Sequence, residues 1–261
     1  QRRELKHFHY YLCRQLKGGG MEIYMAGLGT VINVAGILAG GLSGLLFGKF
    51  MTQRYQDTLT MACGVTVMFI GIAGTIEKMM AVTGKSLTSG GTMMIIGSFM
   101  MGSLLGEWLN IEYKLEEFGR WLKARTGSSG DKMFVDGFVT ASLTVCIGAM
   151  AVVGSIQDGI YGDCSILAAK AALDLIIVLV MTASMGKGCL FSAIPVGIFQ
   201  GGVTFLSGLI EPFMTETALN NLSLTGSMLI FCVGVNLIWG KKINVANMLP
   251  TLLISMMWGI G

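Results

Sequence analysis

Three features of this sequence predict an all-α, polytopic transmembrane helix bundle of about eight helices (seven or eight). Of 261 residues, 53% are hydrophobic and only 13% charged, with a mean hydropathy of +0.69. Soluble domains carry about 25% charged residues, so too few ions are present to cover a water-facing surface of this size. Second, eight stretches approach the ~20 mainly apolar residues that a spanning helix needs. None has the alternation of a barrel strand, and in lipid every backbone group needs an internal partner, so these stretches are helices. Third, the 38 glycines are about twice the usual share of roughly 7%, and small residues let membrane helices approach closely. A soluble enzyme, a disordered chain and a collagen-like repeat are excluded.

Residues 1–20 (QRRELKHFHYYLCRQLKGGG) differ from everything after them and lack the apolar core and cleavage site of a signal peptide. Lys17-Gly18-Gly19-Gly20 before Met21 is what a purine-rich ribosome-binding site read in frame would encode. Translation is therefore expected to start at Met21, with 1–20 a non-native extension and 21–261 a single transmembrane domain. The eight stretches run roughly over 25–48, 57–76, 91–109, 134–156, 164–186, 188–210, 218–240 and 245–261, the last short enough for a partial span.

Orientation follows from Lys and Arg in alternate loops. Lys49, Arg54, Lys114, Arg120, Lys123, Arg125, Lys132, Lys187, Lys241 and Lys242 fall on one side, and only Lys78 and Lys85 on the other. Ten against two places the first set in the cytoplasm and Met21 outside. Arg2, Arg3, Lys6, Arg14 and Lys17 would then stand on the wrong side, a second argument against the tail. The longest cytoplasmic link, 110–132, puts Ile111, Leu115, Phe118 and Leu122 on one helical face opposite Glu112, Glu116, Lys123 and Arg125. It reads as an amphipathic helix on the inner membrane surface, with Trp108 and Trp121 at headgroup depth.

Helix one contains VAGILAGG (34–41) and helix six PVGIFQGG (195–202), sharing G-I-x-x-G-G. Five helices separate them, so the copies run in opposite directions. Helices one to three and six to eight are then candidates for an inverted repeat around a central pair, an arrangement found in transporters. Gly36, Gly40, Gly44 and Gly48 form a stripe down helix one, and Gly201 and Gly202 close the second motif. These faces serve either packing within the chain or a homo-oligomer.

Ionisable groups within a membrane cost roughly 2.5–3.5 kcal/mol each on insertion scales and are functional candidates by default. Lys170 and Asp174 share one face of helix five, with Asp174 near the midplane. One reading is an ion pair that neutralises itself; the other is a polar cavity, with Asp158, for an ion, proton or small polar solute. Asp163 suits an N-cap for helix five. Helix four is expected to end near Ser155, Gln157 and Asp158, leaving Asp158 near the outer surface and well away from Asp174. Gln200, Asn33 and Asn236 are further intramembrane candidates for hydrogen bonds or ligand contacts.

The run GSIQDGIYGD, the segment SAIPVGIFQGG, the close GVNLIWGKKINVANMLP and the opening GTVINVAGILAGGLSGLLFGK resemble the YqgA/YdfK-like bacterial membrane proteins, domain of unknown function 554. The resemblance covers essentially 21–261 and implies a multi-pass protein of the bacterial inner membrane. It implies no reaction or substrate.

The six cysteines stand singly and both histidines, His7 and His9, lie in the tail. No disulfide framework, metal site, cofactor site or histidine-based catalysis is expected. No phosphate loop, HExxH or G-x-S-x-G motif occurs, and the net charge of +3 on so apolar a chain gives no reason to expect nucleic acid. The lipid bilayer is the expected surrounding. A non-enzymatic secondary transporter or channel is the leading expectation, with Asp174 carrying the coupling proton or cation and Lys170 modulating it. The alternative is a membrane scaffold or assembly protein using the glycine faces and the 110–132 helix.

Overall fold

The computed structural model describes residues 26–83 and 86–259; the expectation about 1–20 lies outside them. Among the described residues six helices are long and apolar enough to cross a membrane, or seven spans if a helix pair bent by 63° counts as one. They are, in chain order, α1 (Leu28–Gly48), α2 (Gln53–Met79), α3 (Thr92–Leu109), the bent pair α5 (Phe134–Cys146) and α6 (Ala149–Tyr161), α7 (Ser165–Met185), a 3-10 turn (Lys187–Ser192) running into α8 (Ala193–Phe205), and α10 (Glu216–Trp239). Short α9 (Ser207–Ile210) follows α8, and α4 (Ile111–Arg125) lies between α3 and α5.

The last segment, a 3-10 turn (Val245–Met248) followed by α11 (Pro250–Met257), is shorter than a standard span. It nevertheless runs from one end of the bundle to the other. Asn247 bonds to Glu107 at the end of α3, while the Gly259 carbonyl accepts from Thr215 before α10. A 3-10 turn rises about 2.0 Å per residue against 1.5 Å for an α-helix, which stretches a short segment further.

Between α2 and α3 the chain forms an antiparallel β-ribbon, β1 (Met80–Thr83) with β2 (Ser86–Ser89), in register Met80↔Ser89 and Thr83↔Ser86. It tops the bundle at the end with few basic residues. All ten basic residues of the larger set sit at the other end, where α1, α3, α7 and α10 finish.

Each helix of the first triple packs antiparallel on its counterpart in the last. Asn33 and Thr30 of α1 meet Gln200 and Thr204 of α8. Gly64 and Gly71 of α2 face Gly234 and Phe231 of α10, while Gly102 and Gly106 of α3 face Thr251 and Asn247. This is the pairing that an inverted repeat produces. The repeated glycines do not share a role, however. Gly36, Gly40, Gly44 and Gly48 abut the backbone of α7 at Ala171, Leu175, Leu179 and Ala183, so this stripe is internal packing. Gly201 and Gly202 have nothing within 4 Å of a built Cβ.

Two helix boundaries depart from the sequence reading. The fourth span breaks at Ile147–Gly148, where Gly148 adopts φ 152° and ψ 148°, a conformation open to glycine alone among common residues. Its second half then runs on to Tyr161 and stops at Gly162 in the left-handed region (φ 65°). Asp158 is therefore inside a helix and not in a loop. α4 forms on the predicted face, but the bundle covers that face. Leu122 is buried, Ile111, Leu115 and Phe118 pack on the core, and the Phe138 ring of α5 lies tilted 5.8 Å from that of Phe118 and fills the space beside Gly119. Trp108 and Trp121 remain exposed, as interfacial tryptophans are.

Candidate functional site

The candidate site forms where α1, α7 and α8 meet. The glycine stripe removes side chains between α1 and α7, so the two backbones touch and short side chains of α1 reach groups on α7. Lys170 and Asp174 lie one turn apart on α7. The ammonium donates to both carboxylate oxygens, at 2.8 and 2.7 Å, and both residues are buried (7% and 3% exposed). Asn33 of α1 lies close to the Asp174 carboxylate. Its amide nitrogen donates to Gln200 Oε1 of α8 at 3.1 Å.

Asn33 and Gln200 are fully buried, and their amide bond leaves an acceptor, Asn33 Oδ1, and a donor, Gln200 Nε2, without partners. Buried polar atoms are normally satisfied, so an unmatched acceptor and donor beside an ion pair are what a bound polar solute or water would complete. Four of the sequence candidates thus converge.

Asp158 is the fifth candidate; it lies near the weakly basic end, as expected, but inside the helix and buried. It is fully buried and its Oδ2 accepts from the Gly29 N–H at 3.1 Å, capping the first turn of α1. Gly29 precedes Asn33 by four residues, about 6 Å of helix, so Asp158 sits at the weakly basic end of α1, two or more turns from Asp174, yet buried in the bundle and one turn from Asn33. Between them the Thr30 and Thr204 hydroxyls stand 3.5 Å apart. A polar stripe thus runs from the weakly basic end to the middle of the bundle. The threonines were overlooked in the sequence, although Thr30–Asn33 and Gln200–Thr204 carry helical spacing on apolar helices.

Asn236 does not join the site. It donates to the Ile243 carbonyl (2.7 Å) and accepts from the N–H groups of Lys242 and Ile243 (both 2.9 Å), clamping the turn after α10. Cys164, not Asp163, is the N-cap of α7; Asp163, one residue earlier, accepts from the Ser165 N–H (2.9 Å) and hydroxyl, which hold its carboxyl below the usual carboxylate range. A second polar network at the basic end escaped the sequence reading. Glu112 Oε2 accepts from Ala246 N–H, Asn247 bonds Glu107 and the Glu112 N–H, and Lys241 pairs with Glu112 and Glu116. Burial opposes ionisation of Glu116, but Lys241 and then Arg120 outweigh it and hold the carboxyl below its ordinary range.

A cavity of about 530 Å³ opens at the helix break, lined by Cys146, Ile147, Gly148, Pro195, Phe199 and Leu252 among other apolar groups, with Ser142 supplying a hydroxyl. Cys146 also lies near Lys170 and Asp174, so the cavity and the ion pair share a neighbour.

The comparisons agree with this architecture. The family model described as "Protein of unknown function (DUF554)" matches residues 28–260. The chain is 28% identical over 226 residues to the "Uncharacterized membrane protein YdfK" of Bacillus subtilis (strain 168), covering 87% of this chain and 93% of that protein. It is 26% identical over 236 residues to the "Uncharacterized protein YqgA" of Escherichia coli (strain K12), covering 88% and 94%. No solved structure matches significantly. With nearly the whole chain matched, this all-α, multi-helix membrane protein belongs to the DUF554 family.

Proposed function

We propose that this chain is a small secondary transporter or channel for an ion or small polar solute in a bacterial cytoplasmic membrane, with the start of α1 outside. The observation that carries the reading is the convergence of Lys170, Asp174, Asn33 and Gln200 from three helices, with an acceptor and a donor left unmatched. Three further features support it: the pairing of counterpart helices in opposite directions, a span broken at membrane depth, and a polar stripe leading to one end. Transporters use broken spans and repeat interfaces in this way. The ten basic residues at the other end favour that end as cytoplasmic.

In this mechanism the pair is closed and neutral at rest. Protonation of Asp174 releases the Lys170 ammonium for an anionic solute, while the Asn33 carbonyl and Gln200 amide orient it. The chain moves its solute unchanged. A scaffold role is less well supported, because the apolar face of α4, its main docking surface, is covered by α5. Proteoliposomes carrying a pH-sensitive dye, given a sodium or pH gradient and challenged with acetate, glutamate and glycine, test the reading. Wild-type protein is expected to couple at least one solute to ion movement, and Asp174→Asn to abolish it. No flux with any solute, or equal flux in Asp174→Asn, overturns it.

A further inference from the structure

Asp158 differs from Asp174 in having no countercharge. Its side chain is fully buried, Oδ2 is bonded to Gly29, and Oδ1 has no hydrogen-bond partner. Ser155, one turn earlier on the same face of α6, is also fully buried with an unpartnered hydroxyl. More oxygens lie nearby: the Thr30 hydroxyl one residue beyond Gly29, the Thr204 hydroxyl 3.5 Å from it, and the Thr204 carbonyl and Ser207 hydroxyl packed against Gly159, the residue after Asp158.

Among the described residues no lysine or arginine pairs with Asp158. The helices packed against α6 (α1, α7, α8, α9 and α10) carry only Lys170, Asp174 and Glu216 as charged groups. The first two bind each other, and Glu216 is exposed at the head of α10. Tyr161 is the other titratable group on α6. The N-terminus of α1 offers about half an elementary charge, which leaves the carboxylate undercompensated in an apolar setting. A single carboxylate among hydroxyl and carbonyl oxygens matches one hard unit of positive charge.

We propose that Asp158, with Ser155 and the Thr30–Thr204 hydroxyls, binds one monovalent cation, a sodium ion, as a coupling ion additional to the proton taken by Asp174. The coupling role rests on the transport reading, whereas the binding itself does not. Asp158 caps the helix that carries Asn33, so its charge state acts on the first turn of α1 and, one turn on, on the Asn33–Gln200 pair.

Thermal unfolding of the purified protein in detergent tests this, comparing sodium chloride with choline chloride at equal ionic strength over a range of pH. The midpoint is expected to rise with sodium chloride. The rise is lost in Asp158→Asn and weakened in Ser155→Ala, which leaves the α1 cap intact should the first variant fold poorly. No sodium-specific shift in the wild type, or an undiminished shift in Ser155→Ala or in a folded Asp158→Asn, overturns the proposal. Flux on the same preparations separates the two readings. Ion binding without flux removes only the transport reading; flux without ion binding at Asp158 removes only this one.

Discussion

Replacing Lys170 with Met and Asp174 with Leu, singly and together, gives a quantitative test of how the pair is held. Either single change leaves an uncompensated charge in a site where the partners are 7% and 3% exposed. Breaking a buried pair by removing one partner costs about 3–5 kcal/mol, whereas apolar replacement of both is often neutral. Simple addition of the single effects gives roughly 6–10 kcal/mol for the double variant. The expected loss is within about 1 kcal/mol of wild type. If the unfolded state in the micelle finds its own polar partners and halves every single effect, the gap still exceeds ~2 kcal/mol. The assay is equilibrium unfolding in mixed micelles across the four-member cycle. Additive losses would refute the reasoning, because they would mean that the ammonium and carboxylate are stabilised separately, by water or by other groups.

Three further outcomes follow from the packing and the surface charges. A Cβ at Gly40 overlaps the Leu175 carbonyl while one at Gly201 meets nothing. Gly40→Ala is therefore expected to lose about 1–3 kcal/mol by overpacking in the same unfolding assay, and Gly201→Ala to change little. Asp163→Ala removes the acceptor for the Ser165 N–H and hydroxyl and is expected to cost about 1 kcal/mol; because the native carboxyl is held below its usual range, the contribution is present above the ordinary carboxylate range and fades as pH falls through the lowered value. Glu116 behaves in the same sense, so its hold on Lys241 weakens in acid. Lys241, raised against the drag of burial by its hydrogen bonds to Glu116 and Glu112, loses its contribution only in strong alkali. Hydrogen exchange on α4 as pH is lowered checks this, with Glu116→Gln expected to make the exchange insensitive to acid.

The long helices were legible because their lengths and apolar content follow from the bilayer, and their boundaries fell within a few residues of the predicted ones. The break at Gly148 was not, since Cys146-Ile147-Gly148-Ala149 is as apolar as its surroundings and glycine is common throughout this chain. The same ambiguity hid the helical setting of Asp158: GSIQDG reads as a helix end, but Gly159 serves close packing against Thr204 and Ser207 while Gly162 makes the stop. Lys170, Asp174, Asn33 and Gln200 were visible singly as polar residues in an apolar medium. Their convergence depends on the α1–α7 glycine contact and on the antiparallel α1–α8 pairing, which only the repeat motif hinted at. The network of Glu107, Glu112, Lys241 and Asn247 joins segments more than a hundred residues apart, and no local pattern announces it.

The double variant Lys170→Met/Asp174→Leu tests the central claim most directly, because it removes the charges without leaving either one buried alone. Its folding would be established by the unfolding cycle, and its flux measured in proteoliposomes against wild type for the solute and ion that wild type moves. A folded, stable variant with no coupled flux is the expected result and assigns the cluster to transport. A folded variant with wild-type flux would contradict it and leave the pair a structural element of α7.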